Sequence, residues 1–496
     1  MARALTVIIM SKLTAFASSL LLATSIAACA SNGAEPDVDI GDFDAFADGK
    51  SDTQYLGTRS AEIEAALTGK VRVALPGKTA TELQAIADAI KANPSDYNYR
   101  NVTEQVTEQI KYARNALRAS KFTLNLEGGE ATYSKITVES GALVLEYSVK
   151  IESLVKYKEL EAQNLKPSDL IGQKVDIKLP LMPAGLFDRI QGACSSDFDA
   201  NRAAVPAADL RNDNMFYYWD PARNGCTLGA ADIVNAQYTV SSAAAAKTVY
   251  PEYDRLIADG KITMVQIYGQ IEHGDLSPND WGFLSIKDVT RTLTSHGFKK
   301  TQTFPNNTGH RLEKTLPNGL KVEIDMLSPV SFADHVDRNL SNAKFREAIK
   351  SHEVVYYAGH AFYGSLTVLD EPTAYPLDQY QVIFMDACWS YAYYTKQVFR
   401  NRATAADPTG FINTDVVNNT EMGITGSEQT AMVLFEKMFD GADLVKGRKA
   451  AKNYSWNNLV KYMNTHAKAR ADARGESNEE IYGVSGVTGN KFKPTR

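Results

Sequence analysis

A histidine and a cysteine, His360 and Cys388, each close a short apolar run, and together they offer an imidazole base and a thiol nucleophile. The first run is Glu353-Val354-Val355-Tyr356-Tyr357-Ala358-Gly359-His360. The second is Gln381-Val382-Ile383-Phe384-Met385-Asp386-Ala387-Cys388. Continuous apolar stretches of this length, rich in β-branched and aromatic residues, suit central strands of a parallel sheet covered on both faces. Chemistry in such sheets gathers at the carboxyl ends of the strands. If these two strands are adjacent and parallel, both reactive side chains emerge at one edge. Cys388 also has a plainer reading as a small buried hydrophobe, because free cysteine is among the most buried residue types.

The elements needed to hold this pair follow from a change of period near residue 248, where strands and helices begin to alternate as in a doubly wound, mostly parallel α/β sheet. Lys261 to Tyr268 reads as an apolar strand. Ser285 caps a helix that buries Ile286, Val289 and Leu293 and stops at Gly297. A β segment runs from Gly319 to Asp325, and Ser341 caps a helix with Phe345, Ala348 and Ile349 inward. After the two reactive strands, Thr425 to Glu428 opens a helix expected to end at Gly441. The last thirty residues are polar apart from Ile481 to Val484.

Ahead of this lies an α+β accessory domain, residues 57–245. Val102, Val106, Ile110, Ala113 and Leu117 line one helix face, and strand-like runs follow at 121–126, 131–138, 142–151 and 174–181. No chemistry is visible in it. The aromatic run Asn212 to Trp219 reads as packing. Residues 30–56 carry seven acidic side chains among small residues, and a solvated acidic tether accounts for them. The glycine and closing glutamate of a calcium loop are absent from their positions.

Composition sets the limits. The 496 residues have a formal net charge of −6 and no basic stripe, which argues against a nucleic-acid partner. With 44% hydrophobic and 23% charged residues the chain is an ordinary globular one. No cofactor and no metal set is implied.

Residues 1–29 look like targeting. Arg3 and Lys12 precede the apolar stretch Leu13 to Ala28, which is too short and too rich in small residues for a spanning helix. The ending Ser25-Ile26-Ala27-Ala28-Cys29 resembles the bacterial lipoprotein signal, which implies lipidation of Cys29 and a membrane contact through that anchor. By the same resemblance, Ala30 after the cysteine implies the outer membrane, with the body periplasmic or surface-exposed. An ordinary secretory signal is the alternative. Either way the compartment is oxidising, and a bridge between Cys194 and Cys226 is expected. Cys388 is then left unpaired.

Strand, helix, strand, helix, histidine strand and cysteine strand is the order of the caspase, gingipain and legumain superfamily of cysteine peptidases, clan CD. Residues 248–440 resemble it through Tyr357-Ala358-Gly359-His360-Ala361 and Asp386-Ala387-Cys388-Trp389-Ser390. The resemblance implies a caspase/gingipain-like domain over 246–496, hydrolysing protein or peptide substrates with a His360/Cys388 dyad. Cys388 would attack the scissile carbonyl and His360 would protonate the leaving amine. The backbone N–H groups of Cys388 and Ala361 would hold the oxyanion. Ala361 stands where the family has glycine, so its N–H is offered only with backbone angles a Cβ permits. An ion pair with His360 would lower the thiol pKa.

Glu272-His273-Gly274-Asp275 follows the 261–268 strand, in the loop that helps build the substrate pocket of the resembling enzymes. Glu272 and Asp275 would there favour a basic side chain before the cut. Asp386 reads as a satisfied structural carboxylate, and the tyrosines at 391, 393 and 394 as helix packing. A catalytically silent relative that binds a peptide or envelope partner is the alternative function.

Overall fold

Two-residue alternation along the apolar strands gives each of them two buried faces. In Val354–Ala358, Val354 and Tyr356 enter one core while Val355 and Tyr357 enter another. Gln381–Asp386 repeats the pattern with Val382 and Phe384 against Ile383 and Met385. Such strands need cover on both sides. The computed structural model describes residues 55–120, 122–124, 131–186, 193–197, 217–243, 248–271, 276–332, 338–361, 366–475 and 480–494.

The resulting mixed α/β arrangement is built on a nine-stranded sheet. From one edge its strands are Tyr55–Gly57, Tyr482–Ser485, Thr414–Asn419, Gln381–Asp386, Val354–Ala358, Lys261–Tyr268, Lys321–Leu327, Gly309–Thr315 and Lys299–Thr303. The central strands, from Thr414–Asn419 through Lys321–Leu327, are all parallel. Those outside them pair antiparallel. Helices Trp281–Ser295, Glu428–Lys446 and Trp456–Arg474 cover one face with Val289, Phe435 and Leu459. Helices Arg338–Ser351 and Ser390–Arg402 cover the other with Ile349, Tyr394 and Val398. Each large side chain so buried contributes about 1.5–3 kcal/mol.

The structure departs from the sequence reading at several boundaries. Helix Glu428–Lys446 runs straight through Gly441. A Cβ there would lie 2.7 Å from both the Tyr253 hydroxyl and Tyr454 Cβ, so this glycine serves close packing rather than termination. Helix Trp281–Ser295 starts ahead of Ser285, because Asp280 is its cap and accepts the Gly282 N–H at 2.8 Å. Tyr55–Gly57, read as the end of the tether and the start of the accessory domain, is an edge strand of the large sheet. The last thirty residues, read as polar, hold the final two turns of helix Trp456–Arg474 and the whole of strand Tyr482–Ser485.

A second, antiparallel sheet runs Phe122–Leu124, Ala142–Lys156, Ser60–Ala74, Ile233–Ala243, Lys174–Pro180, with Thr132–Glu139 also on Ala142–Lys156. Helix Arg100–Ala119 lays Val102, Val106, Ile110, Ala113 and Leu117 into its core as the periodicity requires. Cys194 and Cys226 form a disulfide. Beside it Trp219 is buried, edge-on to Tyr112, and donates from Nε1 to the Lys178 carbonyl at 2.8 Å. That is packing. No helix among the described residues is long and apolar enough to cross a membrane.

Candidate active site at the carboxyl edge

The histidine and cysteine strands are neighbours, parallel, with Ala358 opposite Asp386. His360 and Cys388 each follow two residues later, at the carboxyl edge of the sheet. Gly359 makes the histidine turn possible. A Cβ at this position would come within 2.6 Å of the Tyr357 hydroxyl and 3.3 Å of Gly269 Cα. The same hydroxyl donates to the His360 carbonyl at 2.9 Å and ties the turn to the strand.

His360 Nε2 lies 2.7 Å from the Ile271 carbonyl oxygen. A carbonyl can only accept, so Nε2 carries the proton and the neutral ring keeps its lone pair on Nδ1. Ile271 is itself held, since its N–H donates to Asp280 Oδ2 at 3.0 Å. Asp280 therefore fixes the start of a helix with one oxygen and, with the other, the N–H of the residue whose carbonyl orients His360. A cap of this kind contributes about 1 kcal/mol.

On the neighbouring strand the chain turns sharply through Ala387, Cys388 and Trp389 into helix Ser390–Arg402. Trp389 has φ 48° and ψ 37°, left-handed backbone that a bulky residue rarely adopts, at a cost of roughly 1–2 kcal/mol. Its N–H donates to the Glu421 carbonyl at 2.7 Å, and its ring is buried. The Arg118 guanidinium stands 4.1 Å from the ring centroid and 3.9 Å from the Glu421 carboxylate. Lys156 reaches the other Glu421 oxygen at 3.0 Å.

The thiol is partly exposed and receives the Gly423 N–H at 3.3 Å. Burial pushes its pKa up, with further push from the Asp386 and Glu480 carboxylates and only partial relief from the Gly423 N–H. This corrects the expectation of a thiolate–imidazolium pair. Desolvation is the largest effect on this thiol and favours its neutral form.

Ala361 is buried, and its φ lies outside the left-handed region, so a Cβ is accommodated without backbone strain. Its carbonyl accepts a hydrogen bond from Tyr394. Asp386 turns into the helix-covered core and accepts the Tyr356 and Tyr482 hydroxyls at 2.8 and 3.2 Å. Burial raises its pKa. It is the satisfied structural carboxyl expected of it. Tyr391 donates to Glu62 at 2.8 Å and packs edge-on against Tyr55, joining helix Ser390–Arg402 to the antiparallel sheet.

Glu272 and Asp275, the pocket residues suggested by the acidic loop, lie outside the described residues, as does Cys29. Among the described residues no group of three or more histidine, cysteine, aspartate or glutamate side chains could hold a metal ion. Sequence reasoning missed Ile271, Asp280, Glu421, Gly423 and Arg118. Asp280 carried a signal, a capping residue directly before Trp281-Gly282. Ile271 and Gly423 act through their backbone, which leaves no trace in residue type. No protein-family model, no curated protein and no solved structure matches the chain.

Proposed function

We propose that the protein is a cysteine peptidase of the caspase/gingipain-like kind, hydrolysing peptide bonds with His360 and Cys388. The observation that carries the reading is the Ala358–Asp386 register, which brings both reactive residues to the same edge of two adjacent parallel strands. His360, protonated on Nε2 toward Ile271, offers Nδ1 as the base that takes the thiol proton. Cys388 Sγ then bonds to the scissile carbonyl carbon, and the N–H groups of Cys388 and Ala361 hold the oxyanion. The imidazolium returns the proton to the departing amine as the C–N bond breaks. Water, deprotonated by the same imidazole, hydrolyses the thioester and restores the thiol.

The test is a comparison of wild type with Cys388→Ala on fluorogenically labelled casein and on a proteome-derived peptide mixture. Cleavage by wild type alone supports the peptidase. The second reading, a silent relative whose sheet edge binds a peptide or envelope partner, is favoured by the raised thiol pKa. Reproducible peptide binding without cleavage by wild type decides for it.

The same proposal places the protein in the bacterial envelope, held by lipid on Cys29 after removal of residues 1–28, with the body periplasmic or surface-exposed. The ending Ser25-Ile26-Ala27-Ala28-Cys29 supports this. Intact mass measurement of the mature chain tests it, and a free thiol at position 29 rejects it.

A further inference from the structure

The turn that presents Cys388 is held from outside its own sheet. Trp389, the residue after the thiol, has a left-handed backbone, so its conformation must be imposed by neighbours. Two contacts do so. Its N–H is taken by the Glu421 carbonyl at 2.7 Å, and its buried indole lies under the Arg118 guanidinium at 4.1 Å. Arg118 also faces the Glu421 carboxylate at 3.9 Å, and Lys156 meets that carboxylate at 3.0 Å. Glu421 begins the short segment that ends at Gly423, whose N–H donates to Cys388 Sγ at 3.3 Å. One cationic side chain therefore touches both supports of the turn.

Arg118 and Lys156 belong to the other module. Arg118 lies in the last turn of helix Arg100–Ala119 and Lys156 ends strand Ala142–Lys156. Further contacts extend the same junction. Lys396 on the helix following the turn pairs with Glu152, and Tyr391 donates to Glu62 at 2.8 Å. The Arg118 side chain is 10% exposed, so its charge over the indole is largely desolvated, where a cation–π contact is strongest.

We infer that Arg118 is a positioning residue for the Cys388 turn, and that the antiparallel sheet thereby sets the geometry of the thiol. The catalytic arm of this inference rests on the peptidase reading; the thiol arm does not. Arg118 reaches no reacting atom. It acts through Trp389 and Glu421, which hold the peptide of the nucleophile and the loop that donates to its sulfur. Loss of the guanidinium releases the strained turn, loosens the partly exposed thiol and misaligns it for attack.

The experiment uses the full chain and iodoacetamide, with alkylation of Cys388 located by peptide mapping. In Arg118→Met the alkylation rate rises at least fivefold. In Arg118→Lys most of that change is recovered, because an ammonium still faces the indole and Glu421. Lys150→Met, which removes an exposed charge 3.5 Å from Glu64 in the same module, stays within twofold of wild type. On labelled casein, Arg118→Met loses at least tenfold in kcat with KM within threefold.

An alkylation rate in Arg118→Met within twofold of wild type overturns the inference, as does a shift that Arg118→Lys leaves unrecovered. If Arg118→Met does not fold, Glu421→Gln carries the same comparison from the other side of the pair. If wild type cleaves nothing, the peptidase reading fails, and the alkylation series still decides whether Arg118 positions the thiol.

Discussion

His360 and Cys388 each stand two residues beyond a matched pair, Ala358 and Asp386, on parallel neighbouring strands. Both residues lie just past the paired strand ends, so they leave the sheet at the same edge. Yet their environments differ. The imidazole is oriented by a backbone carbonyl, while the thiol is pushed toward its neutral form by burial. Alkylation of Cys388 in folded protein should accordingly be slow at neutral pH, with a midpoint above about 8.5, the ordinary thiol value. A pH series of iodoacetamide rates checks this, and a midpoint below that value contradicts the burial account. His360→Ala should lower peptide hydrolysis by about 10²–10⁴-fold, the usual weight of a general base.

Asp280→Ala should reduce stability by about 1 kcal/mol, as loss of a helix cap does. It should cost activity out of proportion, by about a hundredfold in kcat, because Ile271, whose carbonyl orients His360, loses the anchor on its N–H. Thermal unfolding and casein kinetics on one preparation separate the two effects. A loss of stability with unchanged kcat removes Asp280 from the site.

Gly359→Ala places a methyl group 2.6 Å from the Tyr357 hydroxyl, and overpacking of this kind costs roughly 1–3 kcal/mol. Tyr357→Phe in the same chain should restore part of it, because the nearest clashing atom is gone. Denaturant midpoints of the two single variants and the double variant test the coupling. Strict additivity refutes the contact.

Stability should fall as pH rises toward 7. Asp415 is buried and accepts from Tyr380, Trp456 and Asn490 at 2.5, 2.6 and 2.7 Å, yet burial pushes its carboxyl up to about 7. Burial likewise raises Glu62 to about 7. Folded protein keeps these protons up to about pH 7, whereas the unfolded chain releases them near about pH 4. Unfolding then releases protons between those values, and their stabilising contribution shrinks as pH rises through that window. Asp415→Asn should flatten the slope. Urea midpoints from pH 4 to 8 that rise with pH, or a slope unchanged by the substitution, would sink the assignment.

Removing the disulfide with Cys194→Ala and Cys226→Ala should cost about 4 kcal/mol by the chain-entropy relation for its sequence separation of 32. Equilibrium unfolding measures it. A non-reducing peptide map that pairs either cysteine with Cys388 rejects the bridge.

The central strands were legible because burial on both faces writes itself as continuous apolar runs. Val354 to Ala358 and Gln381 to Asp386 needed no other clue, and the matched register then followed from parallel pairing. Residues such as Ser60–Ala74 were harder. That strand carries Glu62, Glu64, Lys70 and Arg72 among its apolar positions, and its length becomes apparent only against its partner Ala142–Lys156. Helix Trp456–Arg474 hid behind a polar outer face. At the site, side chains with reactive groups were readable and their supports were not. Ile271 and Gly423 work through peptide atoms that every residue has. Arg118 is distant in sequence from the turn it grips, and nothing local links the two.

Strand Tyr55–Gly57, at the rim of the large sheet, has its partner in Tyr482–Ser485. The first described strand thus waits for the last before it can pair. Ribosomal synthesis must therefore deliver the chain through residue 485 before this edge closes, and such distant pairing slows folding. A nascent chain halted before residue 482 leaves Thr414–Asn419 without its outer neighbour and Asp386 without the Tyr482 hydroxyl. Maturation of the reactive edge is in this way coupled to synthesis of the chain through Tyr482–Ser485.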